Sequence, residues 1–243
     1  MTVVLVHGVP ETTAVWDLIE PDIDAPVVNL GLPGFGNQRP EGFGSTMDEY
    51  VDWLEAEVGR IDGPVDLVGH DWGGILTARL VTTKPGLVRS WVSDAVGVLD
   101  PGFQWHDFAK IWQTPGEGEK FWEDLRADVA AGAAVLASLG VPEAQAAKFS
   151  AALDEEMSDS ILKLYRSAVD IPGTWGAGSI PTEPGLVVVG GSDPFVSAEG
   201  ARKIGEHLGA QVEILEAGGH WWPLDAASEA TSAMKGFWAS LPA

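Results

Sequence analysis

The sequence predicts an α/β protein built on a mainly parallel sheet of about six strands. Short apolar runs rich in β-branched residues recur along the 243-residue chain, and such runs suit strands that are buried on both faces of a sheet. Segments with helical spacing lie between most of them. This alternation favours an open sheet whose ligands bind at the carboxyl ends of the strands. The predicted strands are 3–6, 27–30, 65–68, 91–96, 186–189 and 212–215.

One long interruption breaks the alternation of strands and helices. Helices are predicted between the other strands and after the last one, at 46–60, 74–83, 197–208 and 226–241. Between 96 and 186, however, the pattern contains no parallel strand but has helical spacing at 118–125, 129–139, 143–153 and 158–169. A long excursion from a sheet is typical of a lid or cap. We therefore predict a core at 1–97 and 183–243, with a helical cap at 98–182 inserted after the fourth strand.

Composition excludes several classes of partner and site. The formal charge is −22, from 14 basic and 36 acidic residues, and such a surface repels nucleic acid and anionic membranes. Cysteine is absent, which excludes disulfides and thiolate metal sites. The sequence shows neither a signal-peptide pattern nor an apolar run of the roughly 18 residues that span a bilayer. We therefore expect a cytoplasmic protein.

The stretch DLVGHDWGGIL, residues 66–76, joins a predicted strand to a predicted helix. It has the form of G-x-S-x-G, the sharp turn that exposes a nucleophile, but Asp71 stands where serine is usual. Aspartate is ionised at neutral pH and needs no base to attack. It attacks an ester carbonyl poorly, but it displaces a leaving group from saturated carbon well and forms an alkyl-enzyme ester. The alternative reading of Asp71 alone is an ordinary helix N-cap.

Three further loops follow predicted strands at the same edge of the sheet. HGVP (7–10) follows the first strand, GGSDP (190–194) the fifth and GGHWW (218–222) the sixth. Cleavage of an alkyl-enzyme ester needs a base that is oriented by a carboxylate, and His220 is the candidate. We expect His7 to shape its loop, and His106 and His207 to be exposed, with His106 near the pocket.

Together these motifs resemble the α/β-hydrolase fold superfamily, in the branch of epoxide hydrolases and haloalkane or haloacetate dehalogenases that use an aspartate nucleophile. HGVPE (7–11) resembles the H-G-x-P-E loop of epoxide hydrolases, and GFG (34–36) resembles their second glycine loop. WQTPGEGE (112–119) and LYRS (164–167) resemble segments of their cap. The family usually has two strands before the H-G-x-P strand, and here the pattern begins at that strand. We therefore expect the strand at 27–30 to form a short, blunted edge.

The resemblance implies a role for each site residue. The catalytic set would be Asp71, His220 and Asp193, in the family's order of nucleophile, acid and histidine. Asp94, at the end of the fourth strand, is the alternative acid, as in some haloalkane dehalogenases. The backbone N–H groups of Val9 and Trp72 would form the oxyanion hole.

Epoxide hydrolysis and dehalogenation need different groups around the leaving atom. An epoxide oxygen needs a proton donor, and Tyr165 is the candidate, while Phe108 occupies the position of the family's other tyrosine and Tyr50 is expected to be packed. A halide needs N–H donors, which Trp72 and either Trp105 or Trp112 would supply; His106 is a further candidate donor. The position of the halide-binding asparagine of many haloalkane dehalogenases is Val9 here.

The sequence therefore predicts a cofactor-independent, metal-free hydrolase of a small apolar molecule that uses water and a covalent aspartyl ester. An epoxide is the favoured substrate, and a haloalkane or haloacetate is the alternative. An ester hydrolase or a non-hydrolytic ligand-binding member of the fold stays open, because a fold does not determine function. The oligomeric state also stays open.

Overall fold

A single sheet of six parallel strands forms the centre of the protein. The computed structural model describes residues 1–242, and in it the strand order is β2-β1-β3-β4-β5-β6. Each predicted strand is present, which confirms the predicted fold class. The strands are β1 (Thr2–Val6), β2 (Val27–Leu30), β3 (Val65–Gly69), β4 (Ser90–Ser93), β5 (Gly185–Gly190) and β6 (Gln211–Leu215).

Eleven α-helices accompany the described strands. Helix α1 (Met47–Val58) lies between β2 and β3, and α2 (Trp72–Thr83) lies between β3 and β4. Six lie between β4 and β5: α3 (Asp107–Gln113), α4 (Glu117–Ala127), α5 (Val129–Ser138), α6 (Glu143–Ala152), α7 (Glu155–Ser167) and α8 (Ile171–Thr174). The last three are α9 (Ala198–His207), α10 (Trp222–Asp225) and α11 (Ala227–Ser240). The helices between β4 and β5 are called the inserted helices below; their limits as a separate cap stay a prediction.

The pleat of the strands divides the apolar side chains between two clusters, one on each face of the sheet. Val4 and Val6 of β1 point into a first cluster, which also contains residues of α1, α2 and α9 and most inserted helices. Val3 and Leu5 point into a second cluster, with residues of α11 and of the α5–α6 hairpin. Both faces are therefore covered, which explains why the strands are continuous apolar runs.

The structure differs from the prediction at β4, at the start of α2 and at α3. β4 ends at Ser93, and Val96 lies instead in a 3₁₀ helix, Val96–Leu99, whose apolar side chains are buried beside α9 rather than in the sheet. Helix α2 begins at Trp72, two residues before the predicted start. Helix α3 was not predicted, because its start has an unusual cap: the His106 ring nitrogen Nδ1 accepts the Ala109 N–H at 3.2 Å.

The edge strand β2 is short, as expected. It has four residues and pairs on one side with β1. The 3₁₀ helix Glu20–Asp22 lies close by, and the Asn29 amide donates a hydrogen bond to the Glu20 carboxylate at 2.6 Å. Within residues 1–242, no helix is both long enough and apolar enough to cross a membrane.

Gly73 in the first turn of α2 is required by a close approach of two backbones. A Cβ at this position would overlap the carbonyl oxygen of Val6 and lie 2.7 Å from that of His7. Because neither atom belongs to a flexible side chain, Gly73→Ala should destabilise the fold by about 3 kcal/mol. Gly236→Ala is the matched control: no atom lies within 4 Å of its Cβ, and alanine in a helix should stabilise by about 1 kcal/mol. Urea unfolding measures both, and equal effects would contradict this account.

Candidate active site

Asp71 occupies a strained turn between β3 and α2. Its backbone has φ 51° and ψ −121°, a region that non-glycine residues rarely adopt. Asp71 occupies the N-cap position of α2, but its side chain makes no capping hydrogen bond to that helix. The turn instead aims the carboxylate into a cavity between the sheet and the inserted helices.

The two oxygens of Asp71 have different surroundings. Oδ1 accepts the backbone N–H of Val9 at 2.8 Å. Oδ2 lies 3.6 Å from Nε2 of His220. Burial opposes ionisation of this carboxyl, but His220, His70 and the Trp72 N–H together lower its pKa below the ordinary value. Asp71 is therefore an anion at neutral pH, with one oxygen held and the other facing the histidine.

His220 is oriented by Asp193 and not by Asp94. Its Nδ1 lies 2.9 Å from Asp193 Oδ2. The other oxygen of Asp193 accepts the backbone N–H groups of Phe195 at 2.7 Å and Val196 at 3.1 Å. Burial opposes ionisation of Asp193, but the nearby His220 and these N–H groups lower its pKa. Asp193, Asp71 and His220 thus form one continuous chain of contacts.

Asp94 belongs to a second buried network, which sequence reasoning missed. It contacts His70 through Oδ2, which also accepts the indole N–H of Trp222 at 2.7 Å. The other ring nitrogen of His70 lies 3.1 Å from Glu11. Burial opposes protonation of His70, yet its two carboxylate partners raise its pKa well above the ordinary value. The only signal for this network was the position of His70 beside Asp71.

The second oxygen of Asp94 supports the turn at Asp71 directly. Its Oδ1 accepts the backbone N–H of Asp71 at 2.8 Å. The Gly8 N–H donates to Glu11 at 3.2 Å, so the same network also reaches the loop that holds Val9. The arrangement explains why both loops keep their positions around the carboxylate of Asp71.

The His220 imidazole is protonated at rest. Burial lowers its pKa, but the charges and hydrogen bonds of Asp193 and Asp71 overcome this and raise the pKa to about 10. Two aromatic rings flank the imidazole: Phe195 with ring centroids 4.9 Å apart and Trp221 with 4.8 Å. Neither ring was singled out from the sequence, because neither carries a reactive group.

The cavity in front of Asp71 is mainly apolar. It contains about 510 Å³ of space not occupied by protein, part of it open to solvent. Its polar side chains are those of Asp71, His220, Tyr165 and His106. Its apolar lining consists of Val9, Pro10, Phe108, Trp112, Phe121, Trp122, Leu125, Val135, Leu136, Leu139, Phe195 and Trp221.

The structure brings most of the predicted leaving-group residues to this cavity, with two corrections. Trp105 was a candidate halide donor, but its indole N–H is bonded to the Ala168 carbonyl at 2.8 Å. His106 was expected to be exposed, but it is half-buried because it packs against Phe195, with ring centroids 4.9 Å apart. Burial lowers its pKa to about 4.

The remaining predicted residues divide between the cavity and the layer behind it. Tyr165, Phe108 and Trp112 line the cavity. Trp72 lies behind Tyr165, with ring centroids 5.5 Å apart, and its indole nitrogen is buried without a hydrogen-bond partner in the described chain. Tyr50 is fully buried and donates to the Pro33 carbonyl at 2.7 Å, as expected of a packing residue. His7 accepts the Leu32 N–H and so shapes its loop, and His207 is exposed.

Comparisons with known proteins agree with this architecture. The family model described as "Alpha/beta hydrolase family" matches residues 3–234. The structure described as a "putative epoxide hydrolase from Pseudomonas aeruginosa" is 20% identical, with a TM-score of 0.79 over 98% of this chain and 88% of that one. A loop variant of the haloalkane dehalogenase DbeA from Bradyrhizobium elkanii is 21% identical, with a TM-score of 0.71 over 98% and 90%. At these identities the likeness shows the fold alone.

A curated relative gives a shorter match. It is (E)-2-((N-methylformamido)methylene)succinate hydrolase from Acinetobacter baylyi, which is 30% identical over 92 residues. The alignment covers 35% of this chain and only 34% of that protein.

The charge on His220 predicts a pH dependence of stability. Its folded-state pKa of about 10 exceeds the unfolded value of about 6.5. Its stabilisation is therefore complete below pH 6.5 and is lost as the pH rises through 10. Between pH 7 and 10, the free energy of unfolding should fall less steeply in His220→Gln than in the original protein. The exposed His207→Gln should keep the original slope; parallel curves for all three proteins would contradict the prediction.

Proposed function

Because this chain belongs to the alpha/beta hydrolase family, we propose that it is a cofactor-independent epoxide hydrolase that forms a covalent ester on Asp71. One observation carries the proposal: a buried tyrosine, Tyr165, lines the same cavity as an ionised aspartate. Burial and the charge of Asp71 raise the pKa of Tyr165 well above its ordinary value. The phenol therefore stays protonated and is available as a proton donor.

The first step forms the ester and opens the ring. Oδ1 of Asp71 is held by Val9, so Oδ2 is the attacking oxygen. As the bond between Oδ2 and the epoxide carbon forms, the bond from that carbon to the ring oxygen breaks, and its electron pair goes to the oxygen. That oxygen takes a proton or a strong hydrogen bond from Tyr165, as general acid catalysis requires.

His106 supplies a second donor to the leaving oxygen. Its Nδ1 accepts the Ala109 N–H at 3.2 Å, and its lowered pKa keeps the ring neutral. A neutral imidazole that accepts at Nδ1 carries its proton on Nε2. The ring lies beside Tyr165, with centroids 6.5 Å apart. His106 thus provides the hydrogen bond that Phe108 cannot provide.

The second step hydrolyses the ester at the carbonyl carbon of Asp71. Alkylation removes the negative charge of Asp71, so the pKa of His220 falls. The imidazolium then returns a proton to the Tyr165 oxygen that protonated the alkoxide, and the neutral imidazole can act as a base. It takes a proton from water, which attacks the carbonyl, while Asp193 stabilises the resulting imidazolium. The oxyanion forms on Oδ1, beside the N–H groups of Val9 and Trp72. As the carbonyl re-forms, the product leaves with Oδ2 and takes the proton of His220. The oxygen of water stays on Asp71, whose new carboxyl group returns its proton to His220.

A specific observation favours hydrolysis of a carbon–halogen bond as the second candidate. Two indole N–H groups beside Tyr165 are buried without a hydrogen-bond partner in residues 1–242: that of Trp112, which lines the cavity, and that of Trp72, which lies behind Tyr165. A buried donor without a partner costs stability unless a ligand satisfies it. A halide leaving from a carbon beside Asp71 would do so. An ester substrate or a purely binding role has no comparable support, because Asp71 attacks acyl carbon poorly.

Blocking the second step should trap the covalent intermediate. His220→Gln removes the base but leaves Asp71 to attack, so the ester should accumulate when the variant meets a reactive epoxide. Mass spectrometry of the digest should place the added mass on the peptide that contains Asp71. In one turnover of the original enzyme in ¹⁸O-labelled water, the label should enter Asp71 and not the product.

Two results would contradict this mechanism. One is an adduct on a residue other than Asp71. The other is labelled product in the first turnover, because that would mean that water attacks the substrate directly. Asp71→Asn is the matched control, and no adduct should form on it.

The leaving group can be identified by comparing two substitutions. Tyr165→Phe removes the hydroxyl and keeps the ring, so an epoxide hydrolase should lose about 100- to 10,000-fold in kcat. Trp72→Phe should change epoxide turnover only a few-fold. A dehalogenase should show the reverse pattern, because a halide needs N–H donors and no proton. The assay follows diol formation and halide release together; full epoxide turnover in Tyr165→Phe would refute Tyr165 as the acid.

A further inference from the structure

We infer that the substrate of this site is a neutral epoxide that carries an aryl group or an apolar group of similar bulk next to the reacting carbon. The inference rests on the proposed function and narrows it. It depends on the apolar lining, the charges and the aromatic packing of the cavity in front of Asp71.

Every polar side chain of the cavity belongs to the reacting end. Asp71, His220, Tyr165 and His106 are all used in bond making, bond breaking or proton transfer. The other twelve lining residues are apolar. Beyond the reacting end, the cavity offers a second polar substituent only the indole N–H groups of Trp112, Trp122 and Trp221. These groups donate and do not accept, so burying a substituent that they cannot satisfy would cost binding energy.

The charges of the site exclude an anionic substrate. The cavity lining contains no lysine or arginine. At the reacting end, the carboxylates of Asp71 and Asp193 face the single imidazolium of His220, so the local charge is negative. A substrate carboxylate would lose its water beside like charges and find no cation. The same argument disfavours a haloacetate, one of the two halide substrates predicted from the sequence.

Four aromatic rings of the lining lie beside the proton donor Tyr165 and are called the aromatic wall below: Trp112, Trp122, Phe121 and Phe108. Trp112 meets Tyr165 edge-on with ring centroids 4.8 Å apart, and it also contacts Trp122 at 5.1 Å and Phe121 at 5.9 Å. Phe108 lies 5.9 Å from Phe121. These rings already pack against one another, so they need not reorganise to receive a flat apolar group. An aryl group bound against the wall places the adjacent epoxide between Tyr165 and Asp71.

The extent of the apolar lining points the same way. Twelve apolar residues surround the space in front of Asp71. A three-carbon epoxide would leave most of the aromatic wall without contact and forfeit the dispersion energy that a larger group gains. Bulk, and not only the absence of charge, is therefore part of the specificity.

A matched set of epoxides tests the inference. trans-β-Methylstyrene oxide and 3-phenylglycidate share the aryl group and differ in a methyl group against a carboxylate; propylene oxide lacks the aryl group. The kcat/KM of the original enzyme should be at least about 100-fold higher for the first compound than for the glycidate, the cost of a buried unpaired charge. It should also be about 100-fold higher than for propylene oxide.

A substitution in the aromatic wall tests whether the wall causes the preference for aryl epoxides. Phe121→Ala removes a half-buried ring of the wall and should lower the ratio of aryl to propylene oxide turnover about tenfold. A loss of folding alone would lower both activities and keep the ratio. Phe103→Ala is the control, because this ring is also half-buried but lies outside the cavity lining. The ratio of aryl to propylene oxide turnover should stay unchanged in this variant.

The outcomes separate the two proposals. Hydrolysis of propylene oxide or of the glycidate as fast as the aryl epoxide would overturn the substrate class and leave the epoxide hydrolase standing. If none of the three is opened and no adduct forms on Asp71 in His220→Gln, the proposed function fails and the substrate class fails with it. An unchanged ratio in Phe121→Ala would refute the role of the wall.

Discussion

The site depends on the backbone of Asp71, which is held in a conformation that costs a non-glycine residue about 1–3 kcal/mol. Three hydrogen bonds keep it there. The Asp71 N–H donates to Asp94, its carbonyl accepts from Ile75 at 2.9 Å, and the N–H of the preceding His70 donates to Val6 of β1 at 3.0 Å. The turn is thus fixed to the sheet, to α2 and to a buried carboxylate, and the direction of the Asp71 side chain follows from these three attachments.

Buried charge at this edge of the sheet is organised as two imidazoles, each between two carboxylates. His220 lies between Asp71 and Asp193, and His70 lies between Glu11 and Asp94. A buried charge without a partner is costly, and the carboxylates beside each imidazole raise its pKa. Only the His220 group opens onto the cavity, so only there would the proposed reaction change the balance of charge. The His70 group stays closed and holds the two loops that border Asp71.

The sequence was sufficient to predict the sheet and the meeting of Asp71, Asp193 and His220, because parallel strands bring the loops at their carboxyl ends to one edge. It favoured Asp193 over Asp94 as the partner of His220 but did not exclude Asp94. Those residues follow neighbouring strands, and only the direction of each side chain separates them. The role of His70 was hidden because its partners lie 59 and 24 residues away along the chain. The burial of His106 depends on Phe195, a contact between the inserted helices and a distant loop.

The two apolar clusters have a consequence for how this protein can change over generations. The cavity lies on the boundary between them: Trp112 and Tyr165 belong to the cluster on one face of the sheet, whereas Leu136 and Trp221 belong to the other. A substitution at Leu136 would alter the shape of the cavity from the second cluster, away from the packing behind Tyr165. The ligands that the cavity accepts can therefore change on one side while the surroundings of Tyr165 are inherited intact.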